Sequence, residues 1–121
     1  MSTSLVRIFV YGSLRRDGSA HRLLRGAVCL GRWRTPPCYT LLSLGDWPAA
    51  VMGGRTAIAG EVYAVSHRIL AVLDAYEGVP GLYRRLTIAT PWGEAWMYVL
   101  ARPVRAPRAA SGDWFAQGRR S

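Results

Sequence analysis

The sequence contains no lysine, so all 16 of its basic residues are arginines. Without a side-chain amine, the protein cannot form a lysine Schiff base, and it cannot build a phosphate-binding loop that depends on lysine. The arginines are spread from Arg7 to Arg120 instead of forming one basic block. We therefore attribute much of the net charge of +9 to a bias toward arginine, and we expect no nucleic-acid partner.

Cysteine and histidine are also scarce, with two residues of each. Cys29 and Cys38 are too few for a disulfide framework, and His21 and His67 do not complete a zinc site at any familiar spacing. The sequence has no dinucleotide fingerprint, phosphate loop or Gly-x-Ser-x-Gly motif. We expect two buried free thiols, no metal ion and no serine-histidine triad.

Long apolar runs are missing as well, and none approaches the roughly 20 residues that a membrane-spanning helix needs. Residues 1–10 are too short for a signal peptide and lack its cleavage pattern. We expect a cytoplasmic protein without a membrane partner. The 121 residues, half of them hydrophobic, suffice for one domain with its own core. Residues 102–121 are predicted to form a basic tail whose order the sequence leaves open.

Hydrophobic patterning predicts more strand than helix. One amphipathic helix is predicted from the cap Ser66 to the stop signal of Gly78 and Pro80. Shorter helical turns are predicted over residues 20–25, with Ser19 as the cap, and after Ser111. Apolar and β-branched runs predict strands over residues 5–10, 28–34, 38–44, 56–65, 83–90 and 94–100. The last two strands flank a hairpin turn, so we predict an α+β fold with mostly antiparallel neighbours.

A turn-forming segment follows the first predicted strand and consists of Tyr11, Gly12, Ser13 and Leu14. Glycine allows backbone conformations that other residues avoid, and consecutive N–H groups in such a turn can form a nest for an anion. A small carboxylate would suit this nest. An ordinary strand-to-loop turn explains the same short motif, so the motif alone does not define a site.

Glu77 is one of only three glutamates and lies at the end of the predicted helix. The negative end of the helix dipole, repulsion from Asp74 and the apolar neighbours Tyr76 and Val79 would each raise the pKa of its carboxyl. A raised pKa suits a general base at neutral pH. The ordinary alternative, a solvated glutamate near a helix end, fits the local pattern equally well.

Tyr83 and Tyr98 come from the two arms of the predicted hairpin. Either hydroxyl group could orient a substrate or the Glu77 carboxylate. A core tyrosine with a satisfied hydroxyl group is the simpler interpretation of each one in isolation.

Several motifs, in the right order, resemble the gamma-glutamylcyclotransferase-like superfamily and its short bacterial YtfP-like branch. Each motif alone is modest, but together they cover nearly the whole chain. The matching segments are residues 10–15 (VYGSLR), 60–63 (GEVY), 73–78 (LDAYEG) followed by 83–85 (YRR), 93–99 (GEAWMYV) and 111–114 (SGDW).

The resemblance implies a small mixed β-barrel with flanking helices and a cavity between residues 11–14 and Glu77. In this family, the α-amino group of a γ-glutamyl substrate attacks its own side-chain amide carbonyl, which gives 5-oxoproline and a free amine. Glu77 would be the catalytic base, and residues 11–14 would bind the substrate. Tyr83, Tyr98 or the loop itself would serve the carbonyl oxygen, and no cofactor is required.

Two other functions fit parts of the sequence. The same cavity would serve a non-catalytic binding protein for a γ-glutamyl or carboxylate ligand. The net charge and five tryptophans would serve a nucleic-acid binder. Trp33, Trp92 and Trp96 fall in predicted strand or hairpin positions, however, where core packing is the simpler explanation.

The leaving amine and the oligomeric state stay open, with a monomer slightly favoured. Arg15, Arg16 or Arg84 would favour an acidic leaving group if it lay near the cavity. A solvated surface position is the simpler role for each of these arginines.

Overall fold

A computed structural model describes residues 4–116 of the chain, and its main element is a five-stranded β-sheet. No helix in the described part is both long and apolar enough to span a membrane. The strands are β1 (Leu5–Val10), β2 (Val28–Arg34), β3 (Tyr39–Ser43), β4 (Pro48–Met52), β5 (Ala59–Ser66), β6 (Tyr83–Thr90) and β7 (Gly93–Leu100). The helix α1 spans His67–Glu77, and short 3-10 helices span His21–Leu24 and Trp114–Ala116.

The strand β1 lies in the middle of the sheet, whose order is β2-β5-β1-β7-β6. It pairs antiparallel with β5 from Leu5↔Ser66 to Val10↔Glu61, and parallel with β7 at Ile8↔Trp96. Ile8 and Phe9 point to opposite faces, yet both are fully buried, because each face of the sheet is covered. This double burial explains why β1 is a continuous apolar run.

The strands β3 and β4 form a separate hairpin that covers one face of the sheet. Leu41 and Ala50 are opposite each other in this hairpin and pack in one cluster with Phe9 and Met97. The sequence predicts no strand between residues 44 and 56, and this was wrong, because Pro48–Met52 forms β4. The strand from Pro48 was missed because alanine has little intrinsic preference for strands, so its conformation depends on pairing with β3.

The helix α1 confirms the predicted boundaries. Ser66 caps its start, since the Ser66 hydroxyl oxygen accepts a hydrogen bond from the Ile69 amide at 3.1 Å. Gly78 ends it in the left-handed conformation, with φ 67°. Leu70 and Leu73 are buried against the sheet. The exact end of this helix matters, because Glu77 is its last residue.

The short helix before β2 differs from its prediction. It is a 3-10 turn that begins after Ala20, and no side chain caps it, so the predicted cap at Ser19 is wrong. Gly26 follows it with φ 92°, in the left-handed region that glycine tolerates.

The predicted barrel is not confirmed. Within residues 4–116 the five-stranded ladder stays open, with β2 and β6 as its edges. The α+β class and the mostly antiparallel pairing are confirmed, with β1 and β7 as the parallel pair.

The segment after β7 first runs beside β3 and then reaches the start of β5. The Ala109 amide donates to the Leu41 carbonyl at 2.8 Å, and the Ala59 amide donates to the Gly112 carbonyl at 2.9 Å. The last 3-10 turn follows at Trp114, close to the helical turn predicted after Ser111. Residues 117–121 of the predicted basic tail lie outside the described residues.

Candidate active site

A cavity of about 210 Å³ lies where the end of β1 meets the end of α1. We call it the site cavity. Five chain segments form its wall, so its shape depends on how the sheet, the β3–β4 hairpin and α1 pack together. It is lined by Phe9, Val10, Tyr11, Gly12, Ser13 and Leu14 from β1 and its loop, Trp47 and Pro48 from the β3–β4 turn, Tyr76 and Glu77 from α1, and Leu82, Tyr83 and Tyr98.

Among residues 4–116, Glu77 is the one charged residue that lines the site cavity. Burial raises the pKa of its carboxyl to about 7, and no charge or hydrogen bond from the described residues adds to this shift. The predicted direction is therefore confirmed, but the predicted contribution of Asp74 is wrong. The Asp74 carboxylate is instead occupied by Arg85, whose Nε lies 3.1 Å away, and by the Tyr98 hydroxyl at 2.7 Å.

The loop of residues 12–16 presents free backbone donors beside Glu77. The Arg15 amide closes a turn by donating to the Gly12 carbonyl at 3.0 Å. Within residues 4–116, the amides of Gly12, Ser13 and Leu14 donate to no backbone carbonyl. Three consecutive N–H groups without a backbone partner are what an anion or a polarised carbonyl oxygen requires.

Gly12 is needed for a reason other than the predicted one. Its backbone is not in the left-handed region, so conformational freedom does not explain it. A Cβ atom at this position would instead lie 2.9 Å from Cγ and 3.0 Å from Cδ of Pro48. The glycine therefore lets the start of β4 approach the loop and close the wall of the site cavity.

A buried ionic cluster contacts the end of the same loop, and its signal in the sequence is weak. The Glu61 carboxylate accepts hydrogen bonds from the Arg16 amide and from the Tyr63 hydroxyl, both at 2.8 Å. It also lies 3.6 Å from Nε of Arg15, whose guanidinium donates to Asp113 at 2.7 Å. Glu61 and Arg15 are both buried. An acidic residue inside an apolar strand was the signal that could have indicated this cluster.

Three of the four tyrosines that the described residues contribute to the wall donate their hydroxyl protons to acceptors within the protein. The Tyr11 hydroxyl donates to the Tyr98 carbonyl at 2.7 Å, and the Tyr83 hydroxyl donates to the Pro48 carbonyl at 2.9 Å. The Tyr98 hydroxyl donates to Asp74. Burial raises the pKa of all three, and the Glu77 carboxylate adds to the rise, so they stay protonated at neutral pH. Tyr83 and Tyr98 line the site cavity as predicted, with their protons already engaged.

Tyr76 is a further residue of the wall, and we predicted for it only an apolar neighbour of Glu77. Its hydroxyl lies 2.9 Å from the Ser13 hydroxyl. This contact links the loop after β1 to the last turn of α1. The two segments that carry the amides and the carboxylate are therefore joined directly.

The remaining candidates lie away from the site cavity. Arg15, Arg16 and Arg84 do not line it. Cys29 and Cys38 are free thiols, and both are exposed to solvent. The prediction that they would be buried was therefore wrong. In residues 4–116, no three His, Cys, Asp or Glu side chains are grouped to hold a metal ion.

Comparison with known proteins gives a consistent family. The family model "Gamma-glutamyl cyclotransferase, AIG2-like" matches residues 8–116. The chain is 47% identical over 111 residues to the gamma-glutamylcyclotransferase family protein YtfP of Escherichia coli K12, which covers 90% of this chain and 96% of that protein. It is 38% identical over 90 residues to human gamma-glutamylaminecyclotransferase, which covers 67% of this chain and 59% of that protein.

A solved structure supports the same grouping. An uncharacterized protein from Pyrococcus horikoshii superimposes with a TM-score of 0.79 at 33% identity, covering 91% of this chain and 90% of that one. The similarity therefore extends from sequence to fold over almost the same residues. The chain belongs to the gamma-glutamyl cyclotransferase, AIG2-like family.

Proposed function

We propose that the protein is a cofactor-free γ-glutamyl cyclotransferase, which converts a γ-glutamyl amine or peptide into 5-oxoproline and a free amine. One observation carries the proposal: a partly buried carboxyl with a pKa of about 7 shares one small cavity with three free backbone amides. Glu77 is the proposed catalytic base, and residues 11–14 are the proposed substrate-binding loop.

The first step is a proton transfer. The α-ammonium group of the substrate must lose a proton before its nitrogen can attack, and the Glu77 carboxylate accepts this proton. A carboxyl with a pKa near 7 is ionised in a large share of molecules at neutral pH, yet it binds a proton more readily than an exposed glutamate does. Burial of Glu77 therefore supports its role as the base.

The second step closes the ring. The α-nitrogen forms a bond to the γ-carbonyl carbon, and the carbonyl oxygen takes up the electron pair. When this intermediate collapses, the bond to the leaving nitrogen breaks, and that nitrogen receives the proton held by Glu77. The ring nitrogen loses its second proton, which the Glu77 carboxylate takes up and passes to the departing amine. The products are 5-oxoproline and the ammonium form of the amine, Glu77 is a carboxylate again, and atoms and charge balance.

The loop amides supply the electrostatic part of the proposal. The hydroxyl protons of Tyr11, Tyr83 and Tyr98 are directed at protein acceptors, so the amides of residues 12–14 are the better donors to the carbonyl oxygen or the α-carboxylate. Fixed donors of this kind contribute on the order of 3 kcal/mol each to transition-state stabilisation. The hydroxyls of Tyr83 and Tyr98 serve as a rigid wall.

The small volume supports an intramolecular reaction. At about 210 Å³, the site cavity is below the roughly 300–1,000 Å³ of most ligand sites. A γ-glutamyl group held there must fold back on itself, which brings its α-nitrogen toward its own γ-carbonyl. Proximity of this kind is the main requirement for ring closure.

The test is detection of 5-oxoproline by mass spectrometry after incubation with γ-glutamyl amines, γ-glutamyl dipeptides and glutathione. Glu77→Gln keeps the side-chain volume and removes the base, and Glu94→Gln, at an exposed position of β7, is the matched control. We expect product from the wild type and Glu94→Gln but none from Glu77→Gln. Equal product from Glu77→Gln would exclude the proposed base, and binding without any turnover would favour a non-catalytic binding protein.

A further inference from the structure

The outer wall of the site cavity is made of large apolar side chains that are left exposed. Trp47, Tyr76 and Leu82 are 50%, 44% and 53% exposed, respectively, and all three line the cavity. They come from three separate segments: the β3–β4 turn, α1 and the residue before β6. Exposed apolar side chains gathered from several segments around one opening usually mark a binding surface. We call these three side chains the apolar rim.

The apolar rim is held in place by the fold. The Leu44 amide donates to the Trp47 carbonyl at 2.9 Å, which closes the turn that carries the tryptophan. The Leu82 amide donates to the Gly78 carbonyl at 2.8 Å, and the Tyr76 hydroxyl contacts Ser13. A ligand would therefore meet a largely preformed apolar surface.

Within residues 4–116, no basic residue lines the site cavity, although the protein carries 16 arginines. Arg15 is buried against Glu61 and Asp113, and the Arg84 guanidinium lies 3.8 Å from the Met52 sulfur. A carboxylate on the departing part of the substrate would find no cation in this wall. It would also lie in the same cavity as the Glu77 carboxylate, where two like charges disfavour each other.

We infer that the leaving amine is neutral and apolar, an alkyl or arylalkyl amine whose body packs against the apolar rim. This inference rests on the proposed function and adds the class of substrate to it. The γ-glutamyl part fills the inner cavity near Glu77, which leaves the substituent on the γ-nitrogen at the opening. An amine with a carboxylate beside its nitrogen, as in a γ-glutamyl dipeptide, is disfavoured at this position.

Three substrates test the inference by kcat/KM for 5-oxoproline formation. γ-Glutamyl-phenethylamide and γ-glutamyl-phenylalanine differ by one carboxylate, and γ-glutamyl-methylamide lacks the apolar body. We expect the phenethylamide to exceed each of the other two by at least about tenfold, since burial of even one methylene discriminates by that factor. Equal values, or a preference for the dipeptide, would overturn the inference while leaving the proposed function intact.

Two variants of Trp47, with a control at Val28, test whether the apolar rim causes the preference for the phenethylamide. Trp47→Ala should reduce the phenethylamide-to-methylamide ratio of kcat/KM by about fivefold or more, and Trp47→Phe should keep most of it. Val28→Ala removes another exposed apolar side chain, 56% exposed on β2 and away from the cavity, and should leave the ratio unchanged. An unchanged ratio in Trp47→Ala would contradict the role of the rim. If none of the three compounds yields 5-oxoproline but glutathione or another γ-glutamyl dipeptide does, this inference fails and the proposed function stands. If no γ-glutamyl compound of the wider panel is turned over, the proposed function fails, and this inference fails with it.

Discussion

The Oε1 atom of Glu61 lies 2.8 Å from the backbone nitrogen of Arg16. This contact ties the end of the loop after β1 to the buried strand β5, which is antiparallel to β1. The same carboxylate is close to the Arg15 guanidinium, so a buried charge pair and a backbone hydrogen bond act on adjacent residues. The loop whose residues line the site cavity is thus anchored at its end by this buried cluster.

Glu61→Ala should destabilise the protein, because it leaves the Arg16 amide and the buried Tyr63 hydroxyl without their acceptor and removes an opposite charge from the buried Arg15 guanidinium. Removing one partner of a buried ion pair costs about 3 kcal/mol or more. Glu61→Gln keeps a hydrogen-bond acceptor and should lose less. Urea unfolding measures both, with the exposed Glu94→Ala as control. A Glu61→Ala variant as stable as Glu94→Ala would show that other contacts hold the loop.

The ionisation of Glu77 can be observed directly, because the protein has only three glutamates. Carbon-13 labelling of the glutamate side chains gives three carboxyl resonances to follow against pH. We expect one to titrate with a midpoint near 7, and that resonance to be absent from Glu77→Gln. Three midpoints all close to 4 would show that Glu77 is exposed and would weaken its assignment as the base.

The same titration makes stability depend on pH in a defined direction. The pKa of Glu77 is raised from 4.5 in the unfolded chain to about 7 in the folded protein, so the folded state holds the proton more tightly. The stability from this group is present below about pH 4.5 and is lost as pH rises through 7. Glu77→Gln has no such loss. The free energy of unfolding of Glu77→Gln minus that of the wild type should therefore be about 2–3 kcal/mol larger at about pH 8 than at about pH 4.

Urea unfolding of the wild type and Glu77→Gln at both pH values measures this difference. Comparison of the two proteins at the same pH cancels the contributions of other groups, including Asp113, whose pKa is lowered beside Arg15. Glu94→Gln should follow the wild type at both values. A constant difference between Glu77→Gln and the wild type across this range would contradict a raised pKa for Glu77.

Local signals were sufficient where the conformation is decided locally. The cap at Ser66 and the left-handed Gly78 define α1, so the position of Glu77 at the helix end could be predicted from the sequence. The strand β1 and the β6–β7 hairpin were recognisable from apolar, β-branched runs. The loop of residues 11–14 could be selected as a site only through the family resemblance, since the same motif fits an ordinary turn.

Long-range contacts explain what could not be predicted. Pro48–Met52 is a strand because it pairs with β3, and its own sequence favours that conformation only weakly, through Val51. Glu61 and Asp113 are 52 positions apart in the chain but meet at Arg15. We predicted that Asp74 would help to raise the pKa of Glu77. The fold shows that the Asp74 carboxylate instead pairs with Arg85 and Tyr98, which lie far from it in the sequence.

The close approach of Gly12 and Pro48 makes a further prediction about activity. A Cβ atom in Gly12→Ala would lie 2.9 Å from Cγ of Pro48, closer than carbon atoms can pack, so the loop or the start of β4 must move. Pro48 is also the acceptor of the Tyr83 hydroxyl, so the displacement would reach a second wall of the site cavity. We expect kcat/KM to fall by about 10-fold to 100-fold, as misplaced catalytic groups commonly cause.

Gly81→Ala is the matched control, because its added Cβ would meet only the Gly78 carbonyl oxygen at 3.8 Å, an ordinary contact. It should change neither activity nor the melting temperature appreciably. Gly12→Ala should also lose about 1–2 kcal/mol of stability from the overpacked contact, which urea unfolding measures. If Gly12→Ala retains wild-type kcat/KM, the loop can shift without loss of function. The placement of its amides would then be less important for the reaction than the position of Glu77.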